Sequence, residues 1–121
     1  MGKDYEFAKL LDFYGKMLTD KQRNFLSHYY FDDLSLSEIA QNEGITRQGV
    51  RDAIKRAEGQ LANMETQLGH VKKFDRINKA LDDILECTDN INNYNLRYGL
   101  SREINDTVVK IKFIIQTLNE E

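Results

Sequence analysis

The residues best equipped for chemistry crowd one stretch of the chain: Thr46, Arg47, Gln48, Arg51, Asp52, Lys55 and Arg56. If this stretch is helical and Val50 and Ile54 face inward, those polar side chains share the open face. Their chemistry is hydrogen bonding and charge pairing rather than bond breaking. Arg47 and Arg51 suit guanine edges or phosphates, Gln48 suits adenine, and Thr46 suits a phosphate or a thymine methyl. Lys55 and Arg56 are placed for phosphates, and Lys21 and Arg23, at the start of an upstream helix, for further backbone contacts. Gly49 leaves a notch through which a ligand could approach the backbone. The same cations also fit a plain solvated face. From Thr19 to Glu58 there are 6 basic and 7 acidic residues, and Asp32, Asp33, Glu43 and Asp52 would repel phosphate.

Other chemistries find little support. His28 and His70 have no cysteine or carboxylate at metal-ligand spacing. Cys87 sits at a helical position beside Ile84 and Ile91, with no activating histidine or glycine-rich turn, and reads as a core or interface residue. No GxxxxGK[ST] or GxGxxG phosphate cradle is present. The expectation is a non-enzyme with no metal and no cofactor. The net charge is -3, without the surplus of cations usual in a dedicated DNA binder. The single cysteine fits a reducing cytoplasm, and no apolar run approaches the ~18 residues of a membrane span.

The elements that must position these residues are helices. There is no proline, and apolar residues recur at helical spacing. A first helix is expected from Tyr5 to Met17. A second begins at Thr19, where Thr19 and Gln22 form a capping box, and ends at the Asp32-Asp33 turn. A third begins at Ser35, boxed by Glu38, and closes at Gly44. A fourth is capped by Thr46 and starts at Arg47. Its apolar positions Val50, Ile54, Ala57, Leu61, Met64 and Leu68 keep an alternating four-three step, so it runs on to Leu68.

The segment from Leu34 to Glu58 has the make-up of a helix-turn-helix: Ala40 where two helices cross, Gly44 in the turn, Ile45 plugging it, and Val50 and Ile54 as anchors. The longer stretch LTDKQRNFLSHYYFDDLSLSEIAQNEGITRQGVRDAIKRAE resembles the region-four DNA-reading module of sigma factors. With LLDFYGKMLTDKQR before it and ITRQGVRDAIKRAEGQL after it, the chain resembles the YlxM family, closely from Leu10 to Leu68. That resemblance implies an all-α fold and a DNA-binding regulatory protein. It also implies an alternative, a protein of the signal recognition particle pathway that binds the particle's RNA or its GTPase through the same module.

Beyond Gly69 the apolar phase resumes as Phe74, Ile77, Leu81, Ile84, Thr88 and Ile91, predicting a helix from Val71 to Asp89. The asparagine-rich stretch from Asp89 to Asn95 reads as a loop, and a last helix starts near Ser101 with Ile104, Val108, Ile111, Ile115 and Leu118. The expected domains are 1–68, the helix-turn-helix head, and 69–121, a helical hairpin. Such long apolar stripes close either as an intramolecular bundle or as a homodimer, with Leu61, Met64, Leu68, Ile77, Leu81, Ile84, Ile111 and Ile115 as the dimerisation candidates. The basic cluster Lys72, Lys73, Arg76 and Lys79 is interleaved with Asp75 and reads as a solvated face, open to an RNA or protein contact.

Overall fold

The computed structural model describes residues 3–119, and among them every regular element is a helix. The fold is all-α. Two compact units divide the chain at Lys73 and Phe74.

The first unit is built around one helix. Helices α1 (Glu6–Tyr14), α2 (Asp20–Tyr30) and α3 (Leu36–Glu43) all pack on α4 (Arg47–Leu68). Each start has a chemical cause. Asp4 accepts the backbone N–H of Glu6 ahead of α1. Thr19 with Gln22, and Ser35 with Glu38, form complete capping boxes at α2 and α3. Thr46 accepts the Gly49 N–H at 3.0 Å and caps α4. The stops are equally local. Gly44 and Gly69 follow α3 and α4 with φ of 69° and 64°, a conformation that costs glycine nothing. The first helix is shorter than its periodicity suggests, because the chain tightens into a 3-10 turn at Gly15–Met17. A Cβ on Gly15 would press on Leu11, so that turn is packed tightly.

The core explains the length of α4. Val50, Ile54, Ala57 and Leu61 have no solvent exposure and meet Leu11, Tyr14, Phe25, Leu26 and Ile39. Leu61, named from the sequence as a dimerisation residue, is therefore a core residue of its own head and has no surface to offer a second copy. The far end of α4, which would stand bare without a partner, is covered as well. Tyr14 Oη donates to Glu65 Oε1 at 2.6 Å and accepts the N–H of His70. Glu65 in turn accepts the N–H groups of Val71 and Lys72, capping the next helix from outside it. Val71 joins the core, Met64 packs beside it, and Leu68 is left half exposed. Ile45 is 39% exposed, its Cδ1 lies 3.7 Å from where a Cβ on Gly49 would stand, and its N–H closes the turn on the Ala40 carbonyl.

The second unit is a hairpin made by the rest of α5 (His70–Tyr94) and α6 (Arg102–Asn119). The two run antiparallel: Phe74, Ile77 and Leu81 line a cavity with Leu118, while Ile91 lines another with Ile104 and Ile111. Asp89 and Lys112 pair across them at 2.6 Å. Thr88, Asn95, Val108 and Ile115 are buried. Ile115, another expected dimerisation residue, is 4% exposed and thus consumed inside the hairpin.

The asparagine-rich stretch is helical, contrary to the loop read from its composition. Helix α5 continues through it to Tyr94, and a π-type turn follows at Asn95–Gly99. Asparagine costs a helix only a few tenths of a kcal/mol relative to average formers, and Asn95 is buried on the same face as Thr88, two turns earlier. The reversal comes later and is held by a side chain. Asn95 donates through Nδ2 to the Ser101 carbonyl and accepts the Ser101 N–H through Oδ1, each at 2.8 Å. A Cβ on Gly99 would lie 2.9 Å from that Oδ1, so a larger residue there would have to displace the Asn95 clamp. Leu100, which follows, takes the left-handed conformation at φ 51°.

Candidate nucleic-acid interface

Capping and packing of α4 dictate which of its side chains face outward. With Val50, Ile54 and Ala57 directed into the core, Arg47, Gln48, Asp52, Lys55 and Arg56 are exposed, and Arg51 is half-buried beside them. Six of the seven carboxylates of the module have local partners. Asp20 holds Arg23 at 2.7 Å, and Asp33 holds Lys3. Asp32 Oδ2 lies 2.9 Å from His28 Nδ1. Glu38 is spent in its capping box. Asp52 accepts from Gln48 at 2.9 Å, and Glu58 accepts from Tyr30 at 3.1 Å. Burial lifts the Glu58 carboxyl above the ordinary carboxylate range, and burial beside Glu58 raises the Tyr30 phenol. Hydrogen bonding from Lys3 lowers Asp33.

The cations behave differently. Among the described residues, Lys21, Arg47, Arg51, Lys55 and Arg56 make no ion pair with a carboxylate; of the six cations in the module only Arg23 does. Arg23 is therefore tied to the first turn of its own helix, not extended toward a ligand. Lys21 and Arg56 converge: with Thr19, Gln22, Phe25 and Ala53 they line a cavity of about 220 Å³ at the N-terminal end of α2. Lys21 also lies over the Phe25 ring, 5.8 Å from its centre. Two positions differ in role from the sequence reading. Gly49 makes no notch for a ligand. A Cβ there would meet Thr46 Oγ1 at 3.1 Å, so glycine leaves room for the cap. Arg51 is not simply outstretched, since its Nε is buried without a hydrogen-bond partner. The convergence of Lys21 with Arg56 was beyond sequence reasoning, because the two lie on different helices.

No group of histidine, cysteine or carboxylate residues among the described residues could hold a metal ion, and no described helix is long and apolar enough to cross a membrane. Cys87 is exposed rather than part of a core.

Two capped helices joined by a left-handed glycine, with the second presenting its polar face, define a helix-turn-helix protein. A family model described as "Putative helix-turn-helix protein, YlxM / p13 like" matches residues 1–96. The chain is 42% identical to a UPF0122 protein of Desulforamulus reducens over 83% of this chain and 86% of that one. It is 50% identical to one of Caldanaerobacter subterraneus over 72% and 75% of the two chains. A third, from Acetivibrio thermocellus, is 51% identical over 68% and 71%. This chain belongs to the UPF0122, YlxM/p13-like family of helix-turn-helix proteins.

Proposed function

We propose that this protein is a non-enzymatic, DNA-binding regulatory protein of the cytoplasm, reading duplex DNA with α4. One observation carries the reading: six of the seven carboxylates of the module have internal partners, while the cations of α4 and Lys21 form no ion pair with them, Lys55 acting on Glu58 only through its field. The outward face of α4 by itself carries Arg47, Arg51, Lys55 and Arg56 against Asp52, so the near-neutral charge count of the whole module understates its positive character. In this geometry Arg47 and Gln48 at the start of α4 reach base edges, with Thr46 and Asp52 framing them. Arg51, Lys55 and Arg56 lie along the backbone, and Lys21 reaches a phosphate at the N-terminus of α2, where oriented N–H groups favour an anion. A homodimer would present two such helices to adjacent half-sites.

Fluorescence anisotropy with duplex DNA over a salt series tests the reading. Affinity is expected to fall with salt, and Lys55→Ala and Arg56→Ala, both placed on phosphates, each to flatten the logarithmic slope by about 0.9. Binding that ignores salt, or that both variants leave unchanged, overturns it.

A second reading rests on a different place. Tyr98, 67% exposed, carries Arg97 over its ring at 5.9 Å, with Asn93 lining the same surface. Stacking faces beside an arginine suit unpaired RNA bases, which supports the alternative of a partner in the signal recognition particle, through its RNA or its GTPase. Capture from lysate with and without ribonuclease separates the two readings: RNA-dependent recovery of that particle supports this one, and recovery of DNA alone removes it.

A further inference from the structure

One acid stands among the cations on the open face of α4. On a helix of about 3.6 residues per turn, Asp52 projects almost directly away from the buried line of Val50, Ile54, Ala57 and Leu61. It is exposed, and so is Gln48 one turn before it. Lys55 and Arg56 lie within reach of its carboxylate, at i+3 and i+4. Among the described residues Asp52 forms an ion pair with neither. Its Oδ1 accepts from Gln48 Nε2 at 2.9 Å instead. A carboxylate only accepts, so the nitrogen of the Gln48 amide, and not its oxygen, must face Asp52. An amide that would otherwise be free to turn over is thereby held one way up. Gln48 Oε1 and one N–H remain for a ligand, and Asp52 Oδ2 remains as a further acceptor.

We infer that Gln48 and Asp52 act as one base-reading pair: Gln48 reads adenine, and Asp52 is the positioning residue that holds its amide and rejects DNA lacking a donor beneath it. This rests on the proposed docking of α4 in the major groove. There adenine presents an acceptor at N7 and a donor at N6, which the amide of Gln48 matches with its N–H and Oε1. The free oxygen of Asp52 needs a donor as well, and the base edges of that groove offer only adenine N6 and cytosine N4. Guanine or thymine beneath Asp52 brings acceptors alone. A carboxylate stripped of water is then left without a hydrogen bond, which is costly. Its charge also opposes the phosphates wherever α4 lies on an unrelated sequence. Asp52 therefore lowers affinity for DNA in general and raises the ratio between the right site and the wrong ones. That accounts for an acid at the outermost position of a face that is otherwise basic.

Selection of duplexes from a random-sequence pool by the full chain, followed by sequencing, tests the pair. Gln48→Ala, at an exposed position, marks the base pair that the amide reads, and that base pair is expected to be A·T in the site enriched by the parent. Asp52→Asn keeps the shape of the side chain and one acceptor but adds a donor, so the amide of Gln48 can turn over. This variant is expected to relax the same A·T position by roughly 5- to 150-fold, the worth of one good bidentate base contact. It should also bind unrelated duplex more tightly than the parent, with an unchanged urea midpoint. A residue that merely braced the helix would move the midpoint and leave the base preference alone. A G·C pair at the position marked by Gln48→Ala, or parent-like selectivity there in Asp52→Asn, overturns the pair. Unrelated duplex held no better by Asp52→Asn overturns the rejecting role. A pool from which no sequence is enriched overturns base reading altogether, while the salt series by anisotropy still decides independently whether the chain binds duplex DNA.

Discussion

Thr46 shows how one side chain can set a site without touching its ligand. Its hydroxyl oxygen takes the Gly49 N–H, which fixes where α4 begins and therefore which residues point outward. Thr46→Ala is expected to cost about 1 kcal/mol of stability in urea denaturation, as other lost N-caps do. It should weaken DNA binding by misplacing Arg47 even though no charge changes. Glu65 makes a comparable case at the other end of α4. Hydrogen bonds from Tyr14, Val71 and Lys72 hold its carboxyl below the ordinary range. A depressed folded value means that the carboxylate stabilises the fold above the unfolded pKa of about 4.3, and that this contribution is lost as pH falls through the folded value. The melting temperature of Glu65→Gln should accordingly lie below that of the parent at neutral pH. The gap should close under acid conditions, below about pH 4. Glu58, lifted by burial, works in the opposite sense and gains as pH falls, so the comparison must be made variant against parent.

At the scale of elements, α4 does two jobs that pull its length in one direction. Its first turns display the polar face, and its later turns, through Ala57, Leu61 and Tyr14's contact with Glu65, hold α1 in place. Leu61→Ala is expected to cost about 2–5 kcal/mol in the head, the usual range for a fully buried leucine, and to leave the mass per particle unchanged wherever the chain still folds. A loss of dimer without loss of stability would place Leu61 in the interface after all. The turn between α5 and α6 is set by Asn95. Asn95→Ala removes both clamps on Ser101 and leaves that backbone unsatisfied, at about 1–3 kcal/mol. Hydrogen exchange at Leu100 and Ser101 should rise first, since their backbone conformation is held by those bonds and not by residue preference.

For the molecule as a whole, the two units divide the work of the proposed function. The head supplies recognition from a core that closes on itself, and the hairpin closes on Thr88, Asn95, Val108 and Ile115. Charge follows the same division: in the head it is arranged face by face, and along α5 it is arranged end by end. Protein concentration alone, with no substitution, checks this division. Dilution below the dimer dissociation constant is expected to weaken apparent DNA affinity steeply, because the second recognition helix is lost with the second copy. A binding curve unaffected by protein dilution would show that a single head suffices.

The local chemistry was legible in the sequence. Capping boxes at Thr19 and Ser35, the cap at Thr46 and the glycines at 44 and 69 depend on neighbours within a few residues, so helix starts and stops follow from residue type alone. The all-α class and the outward polar face of α4 follow in the same way. What tertiary structure decided is how each long-range feature is used. A heptad stripe looks identical whether it meets its own head or another chain, and only packing showed that Leu61 and Ile115 are spent internally while Ile84 stays half exposed. Composition made the asparagine run a loop, but burial of Thr88 and Asn95 on one face outweighed a small propensity cost. Gly49 proved to serve the cap, and six of the seven acidic residues of the module to be engaged one by one. Those outcomes depend on distances between atoms far apart in the chain, which no spacing rule encodes.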